Sequence, residues 1–266
     1  MLQELLHRTI AVAQEAGAFI QAEASSFDFS QVEYKGLNDM VSYVDKTSEK
    51  ICVAALSQIF PEAGFITEEG TSEKGQSEEY NWVIDPLDGT TNFVHGLPIY
   101  SVSIGLIHRG RPVLGVIYDP NRDECFYAAE GGKAYCNGEE IHVSQGAELK
   151  RGLIVTGLPA SAFVQQDFYM AILKHLMPLA HGLRRTGSAA IDLAYVAAGR
   201  FDGQFEYGLK PYDVCAGAAI IQQAGGLVTD FNGGSDYLFG NTIMAACPGV
   251  YTELMAEVQK FWVAPQ

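Results

Sequence analysis

The chain has 266 residues, 48% of them hydrophobic, which is enough for a substantial buried core in one large or two small domains. It carries 17 basic and 32 acidic side chains, and residues 1–150 hold 23 of the acids against 10 bases. Such a field repels a phosphate backbone, and no basic stripe offsets it, so direct nucleic-acid reading is not expected and a bound cation is.

Leu2, Leu5, Leu6, Ile10, Ala13, Gly17 and Ile20 share one helical face, which predicts a helix over 2–24. Ile51, Ala54, Ala55 and Ile59 predict a second over 46–60, stopped at Phe60-Pro61. A short strand at GFIT precedes Glu68 and Glu69, and TEEGTSEKGQSEEYN (67–81) reads as a solvated loop. Strand-like runs at 80–85, 99–107, 112–119 and 124–130 are separated by short turns, which predicts antiparallel neighbours. Beyond residue 150 the pattern alternates: strand 153–157, helix 163–180, strand 183–187, helix 188–199, strand 202–208, helix 213–226, strands 227–231 and 242–247, helix 249–260. Two layered halves, α+β over 1–150 and α/β over 151–266, are expected to meet along a seam. No apolar run approaches the roughly 18 residues of a membrane span, and neither signal peptide nor anchor is expected. Five cysteines at 52, 125, 136, 215 and 247 form no CxxC pair, which suits reduced thiols in a cytoplasmic protein.

The chemistry concentrates in WVIDPLDGTTNF, residues 82–93. Asp-Pro and Asp-Gly are ordinary turn formers, so Asp85 and Asp88 taken alone shape a bend. The wider pattern adds Glu68 and Glu69 at a strand end, Asp45 at the start of the second helix and Asp213 as a helix N-cap. If Glu68, Asp85, Asp88 and Asp213 converge, like charges about 4 Å apart repel by roughly 4 kcal/mol at an effective dielectric near 20, and bound cations relieve that repulsion. The donors are hard oxygens with no His or Cys, which favours Mg2+ and then Mn2+. The Leu87 carbonyl, set between Pro86 and Gly89, can add one more oxygen.

These residues carry a resemblance. The chain resembles the inositol monophosphatase family of metal-dependent, lithium-sensitive sugar phosphatases over essentially its full length. The likeness rests on Glu68-Glu69, Asp85-Pro86-Leu87-Asp88-Gly89-Thr90-Thr91, and Asp213 ahead of a small-residue helix ending Ala224-Gly225-Gly226. Lys35, Asp39, Asp45, Gly187-Ser188-Ala189-Ala190 and Phe205-Glu206-Tyr207-Gly208 extend it. The resemblance implies a layered αβαβα sandwich, a homodimer, and two or three Mg2+ per site. By it, Glu68, Asp85 and the Leu87 carbonyl hold one ion and Asp85, Asp88 and Asp213 a second. Gly89 and Thr90 amides cradle the phosphate. Water oriented by Glu68 and Thr90, with Asp45 holding Thr90, attacks in line without a covalent phosphoenzyme. Glu206, Asp88, Asp213 and the Gly187-Ser188-Ala189 turn face the substrate, whereas Arg184 and Arg185 are expected at the surface or a dimer contact.

Thr67 stands where the family usually has glycine, and Tyr212 where tryptophan is common; neither removes a ligand. An aspartyl-phosphate mechanism is disfavoured, because Asp85 lies three residues before Asp88 and position 86 is proline. Glu206 favours inositol 1-phosphate; fructose 1,6-bisphosphate, histidinol phosphate and 3'(2'),5'-bisphosphate nucleotides are the related alternatives. A reading of another class is a partner-binding regulator whose phosphatase site is idle.

Overall fold

The apolar stripe at the N-terminus forms helix α1 (Leu2–Ala24), burying Leu5, Leu6, Val12, Ala13, Ala16 and Ile20. The computed structural model describes residues 1–28, 30, 32–36, 39–146, 148–158 and 166–262. The side chains of Lys35 and Asp39, part of the resemblance, lie outside what is described. A two-stranded antiparallel ribbon, β1 (Val32–Gly36) with β2 (Asp39–Ser42), leads into α2 (Tyr43–Ile59). This helix begins three residues before the expected start because Ser42 caps it and Asp45 returns the bond, a capping box that apolar spacing does not reveal.

Next come β3 (Gly64–Thr67), β4 (Tyr80–Asp88), the short helix α3 (Thr90–Val94), β5 (Ser101–His108), β6 (Arg111–Asp119) and β7 (Glu124–Ala129). With β8 (Ala134–Cys136) and β9 (Glu139–Ile141) they make a seven-stranded sheet in sequence order. Apart from the parallel β3–β4 pair, neighbours are antiparallel, as the short turns imply. The β8–β9 hairpin was not among the expected strands, though Asn137-Gly138 joins them with both residues at positive φ, a recognised hairpin signal.

The remainder supplies β10 (Leu153–Val155), α4 (Gln166–Leu176), β11 (Gly182–Arg184), α5 (Ala189–Ala197) and β12 (Gly203–Tyr207). It continues through α6 (Pro211–Gln223), β13 (Leu227–Thr229), β14 (Thr242–Ala246) and α7 (Pro248–Gln259). The start of the helix expected from 163 lies outside the described residues. The five strands order as β11-β10-β12-β14-β13, parallel around β10 and antiparallel around β14.

Alternation along the strands separates two cores. On one face Trp82, Ile84, Ile104, Leu106, Leu114 and Val116 pack with Leu5, Val12 and Leu56 of α1 and α2. On the other, Val83, Ile117, Phe126 and Ala128 join Leu193, Val214, Cys215 and Ala218 of α5 and α6, which lean in turn on Phe205 and Met244 of the smaller sheet. With α7 and α4 beyond that sheet, the layers run helix, sheet, helix, sheet, helix, the αβαβα sandwich that the resemblance implies. All five cysteines are free, and among the described residues no helix is long and apolar enough to cross a membrane.

Trp82 is fully buried between the large sheet and the α1–α2 layer. Trp82→Ala is expected to cost about 3–5 kcal/mol, the range for emptying a large aromatic site. Denaturant unfolding that shows a loss below about 1 kcal/mol would mean that this layer collapses around the cavity.

Candidate active site

Strand β4 carries the first two aspartates, and its register explains how both reach one side. Side chains three apart on a regular strand point to opposite faces. Here Asp85 pairs with Ser103 and Asp88 with Ser101, so three steps on β4 match two on β5. The extra residue of this bulge restores the parity. Ile84 and Leu87 both enter the α1–α2 core, while Asp85 and Asp88 turn toward α5 and α6. There they meet Asp213, and one oxygen from each of the three carboxylates lies within 4.8 Å of the others. Glu68 is half-buried and flanks the trio on the Asp85 side, its carboxyl bonding that of Asp85.

Each carboxylate is oriented by a local donor. The Leu87 amide donates to Asp85 Oδ1 at 3.0 Å, so the turn-forming role of Asp85 holds alongside any other. Asp88 accepts from the Ser188 hydroxyl and from the amides of Ala189 at 3.3 Å and Ala190 at 2.7 Å, the opening turn of α5. Asp213 was expected as an N-cap; instead Pro211 opens α6 two residues earlier, and Asp213, in the first turn, takes the Lys210 amide at 2.6 Å. Asp45 accepts from Ser42 N at 2.8 Å, Ser42 Oγ at 2.7 Å and Thr90 Oγ1 at 2.9 Å, and the Thr90 hydroxyl also lies 3.0 Å from the Leu87 carbonyl. Between these groups Gly89 holds φ of 99°, where a Cβ would sit 2.9 Å from the Ile99 carbonyl oxygen.

Electrostatics follow from this crowding. Burial raises Asp85 well above the usual carboxylate range, and the charges of Glu68, Asp88 and Asp213 raise it further. Asp88 is raised by burial against the opposing pull of its α5 donors. Burial and then Asp88 push Asp213 up to about 7. Such a set of hard oxygens, each costing its neighbours their charge, fits a divalent cation of the Mg2+ type.

Asp88, Gly187, Ser188, Ala189, Glu206 and Asp213 all line one cleft. Glu206 enters its wall because Gly157 has no side chain; a Cβ there would overlap the carboxylate. Gln204 Nε2 donates to Glu206 Oε2 at 3.0 Å, and burial pushes Glu206 up to about 8. Two charged cleft residues escaped sequence reasoning. Arg185, expected at the surface or a dimer contact, is exposed but also lines the cleft, while Arg184 is exposed and donates to the Leu183 carbonyl at 2.9 Å. Asp192, which helical periodicity places on α5 without marking it, is buried in the wall and accepts from Thr186 Oγ1 at 2.6 Å. Burial raises it well above its ordinary value.

A profile of the inositol monophosphatase family matches residues 1–263. A putative Nus factor SuhB from Neisseria meningitidis serogroup B is 42% identical over 254 residues, which are 96% of this chain and 97% of that one. Among solved structures, the extragenic suppressor protein suhB of Bartonella henselae superposes with a TM-score of 0.89 at 38% identity, covering 96% of this chain and 98% of its own. Inositol monophosphatase from Anabaena superposes with a TM-score of 0.87 at 36% identity, covering 98% and 97%.

A carboxyl whose folded value is raised gives stability that is whole below its unfolded value and is lost as pH climbs through the folded one. For Asp213 in metal-free protein that window runs from 3.8 to about 7. In chelator, Asp213→Asn is therefore expected to melt above the unmodified protein at slightly alkaline pH, with the gain shrinking as pH falls toward 4. A variant that melts no higher at alkaline pH would remove the electrostatic strain from the site.

Proposed function

The chain belongs to the inositol monophosphatase family, and from that premise we propose that it is a Mg2+-dependent phosphate monoester hydrolase acting on inositol 1-phosphate. The observation that carries the reading is the convergence of Asp85, Asp88 and Asp213 beside a cleft whose wall presents Glu206. Residues 1–150 supply Glu68, Asp85, the Leu87 carbonyl and Asp88 as ligands, and residues 151–266 supply Asp213 and the ring-facing groups. The chemistry that Mg2+, or Mn2+ in its place, supplies when bound is Lewis-acid activation of water and relief of charge on the departing oxygen.

The chain's own groups do the rest. Glu68 and Thr90 Oγ1 accept hydrogen bonds from the attacking water and fix its line of approach. Thr90 can accept because its own proton is directed to Asp45 Oδ1 or to the Leu87 carbonyl. Gly89 and Thr90 amides meet phosphate oxygens at the start of α3. Asp88, held by the first turn of α5, keeps its place as Gly187, Ser188 and Ala189 line the substrate side. Glu206 accepts a hydroxyl of the ring. Sensitivity to Li+ and a homodimeric state belong to the same reading.

A second reading draws on the Nus factor name of the Neisseria relative: this chain acts by binding a partner, and its phosphatase site is idle. Phosphate release separates the two. Purified protein is expected to release phosphate from inositol 1-phosphate only with Mg2+ or Mn2+, and Asp85→Asn to lose several orders of magnitude in kcat while remaining folded. No metal-dependent release from inositol 1-phosphate or the related sugar and nucleotide phosphates would favour the idle site.

Substrate choice is tested at Glu206. A lost buried hydrogen bond costs about 1–3 kcal/mol, so Glu206→Gln should lower kcat/KM for inositol 1-phosphate by roughly tenfold and leave an ester without ring hydroxyls nearly unchanged. Equal losses on both would place Glu206 in support of the metal ligands, and no loss on either would turn the preference away from inositol phosphates.

A further inference from the structure

The buried face of helix α2 carries Cys52 and Leu56 farther along but is polar in its first two turns. Asp45, Ser48 and Glu49, spaced as i, i+3 and i+4, all have 0% of their surface exposed. Burying such groups is unfavourable unless each finds a hydrogen-bond partner. Here each grips a different stretch of chain next to the metal ligands. Asp45 takes the Thr90 hydroxyl, and Ser48 Oγ donates to the Pro86 carbonyl at 2.9 Å, inside the β4 bulge. Glu49 reaches the other side, where Oε2 accepts from the Glu69 amide and Oε1 from the Thr71 amide, both at 2.7 Å.

Those two amides bracket Gly70, which turns the chain at φ of 65° two residues after Glu68. On its other side the Glu68 amide donates to the Ile84 carbonyl at 3.2 Å, continuing the β3–β4 ladder by one rung. The backbone of Glu68 is thus held between a sheet bond before its side chain and the Glu49 clamp just after it. We propose that Glu49 is a positioning residue, whose carboxylate fixes the 69–71 turn and thereby sets where Glu68 presents its own carboxylate to the metal. The inference rests on the metal-dependent reading above.

Both oxygens of Glu49 serve as acceptors, so side-chain chemistry is constrained as well as size. Glutamine keeps the shape but turns one acceptor into an N–H that faces another N–H. Aspartate keeps both acceptors and falls one methylene short. Neither change touches a ligand side chain.

The test combines metal binding with amide exchange. In E49Q, Mn2+ affinity measured by calorimetry is expected to fall roughly 10- to 100-fold, the scale for groups that orient a metal ligand. In metal-free E49Q the amides of Glu69 and Thr71 should exchange faster, while the β4–β5 rungs stay protected. In an E68Q background the same substitution should leave Mn2+ affinity unchanged, since Glu49 acts through Glu68. E49D should reproduce the loss. Unchanged affinity in folded E49Q, unchanged exchange at residues 69 and 71, or an equal loss in the E68Q background would each overturn the assignment. Failure of both E49Q and E49D to fold would do so too, by making Glu49 a core residue. If the unmodified protein releases no phosphate with any metal, the functional reading falls, and the exchange experiment still decides whether the clamp exists.

Discussion

Three aspartates held within 4.8 Å of one another set the terms for everything around them. Left to themselves, the carboxylates would separate or take up protons, and burial makes either course more pressing. The fold resists by giving each a donor that cannot move far: the amide of Leu87 within the bulge, the first turn of α5, and the backbone just ahead of α6. Two of these donors sit at helix N-termini, where the aligned peptide dipoles favour negative charge. On the metal-dependent reading, local stability is given up to keep an arrangement that a cation completes, as is common where function and folding compete.

That arrangement requires the two sheets to stay in register, because Asp85 and Asp88 come from one and the helices between the sheets bring Asp213 and Ser188. The seam is tied by polar bonds near the site. Asn92 Nδ2 donates to the Ile99 carbonyl at 2.8 Å and the Thr186 carbonyl at 3.0 Å, joining α3 to the turn that opens α5. Ser103 Oγ donates to the Tyr212 carbonyl at 3.2 Å, joining β5 to the start of α6. Behind them α5 and α6 pack into the core shared by both sheets, so the ties align elements that burial has already brought together.

Much of this could be read from the residues. Apolar spacing marks α1 and α7 because each buries one stripe, α6 is marked by an unbroken apolar run that is buried all round, and short turns mark β4 to β7 as antiparallel. The pair Asp85 and Asp88 is legible as a candidate metal site only together with Glu68 and Asp213, since the two alone read as turn formers. What sequence could not disclose is parity: residues three apart share a side only through the Asp85–Asp88 bulge, and a bulge is a property of the pairing with β5. Helix starts slipped by two or three residues for a related reason, because Ser42 and Pro211 define them and apolar periodicity ignores both. Glu49 and Asp192 look like solvated helix charges until the fold closes over them. Arg185 reads as surface, and it is exposed, yet it also lines the cleft.

The charge around the cleft bears on how an anion could enter. Asp88, Asp192, Glu206 and Asp213 all line it, and Arg185 is the one cation among the described lining residues. In a protein of formal charge −15 such a wall repels an anion wherever its carboxylates are ionised. Arg185 offsets part of the repulsion by its own charge; that charge also draws Glu206 and Asp192 down, but burial still holds both above their ordinary values. Carboxyls held high in this way keep a proton over a wider range of pH, and a protonated wall repels an anion less. On the metal-dependent reading the order of events then follows from electrostatics, with cations gathered by the acidic trio first and the phosphate admitted once that charge has been reversed. On that reading the acid that makes the cleft inhospitable to a phosphate ester is also what concentrates the ion that admits it.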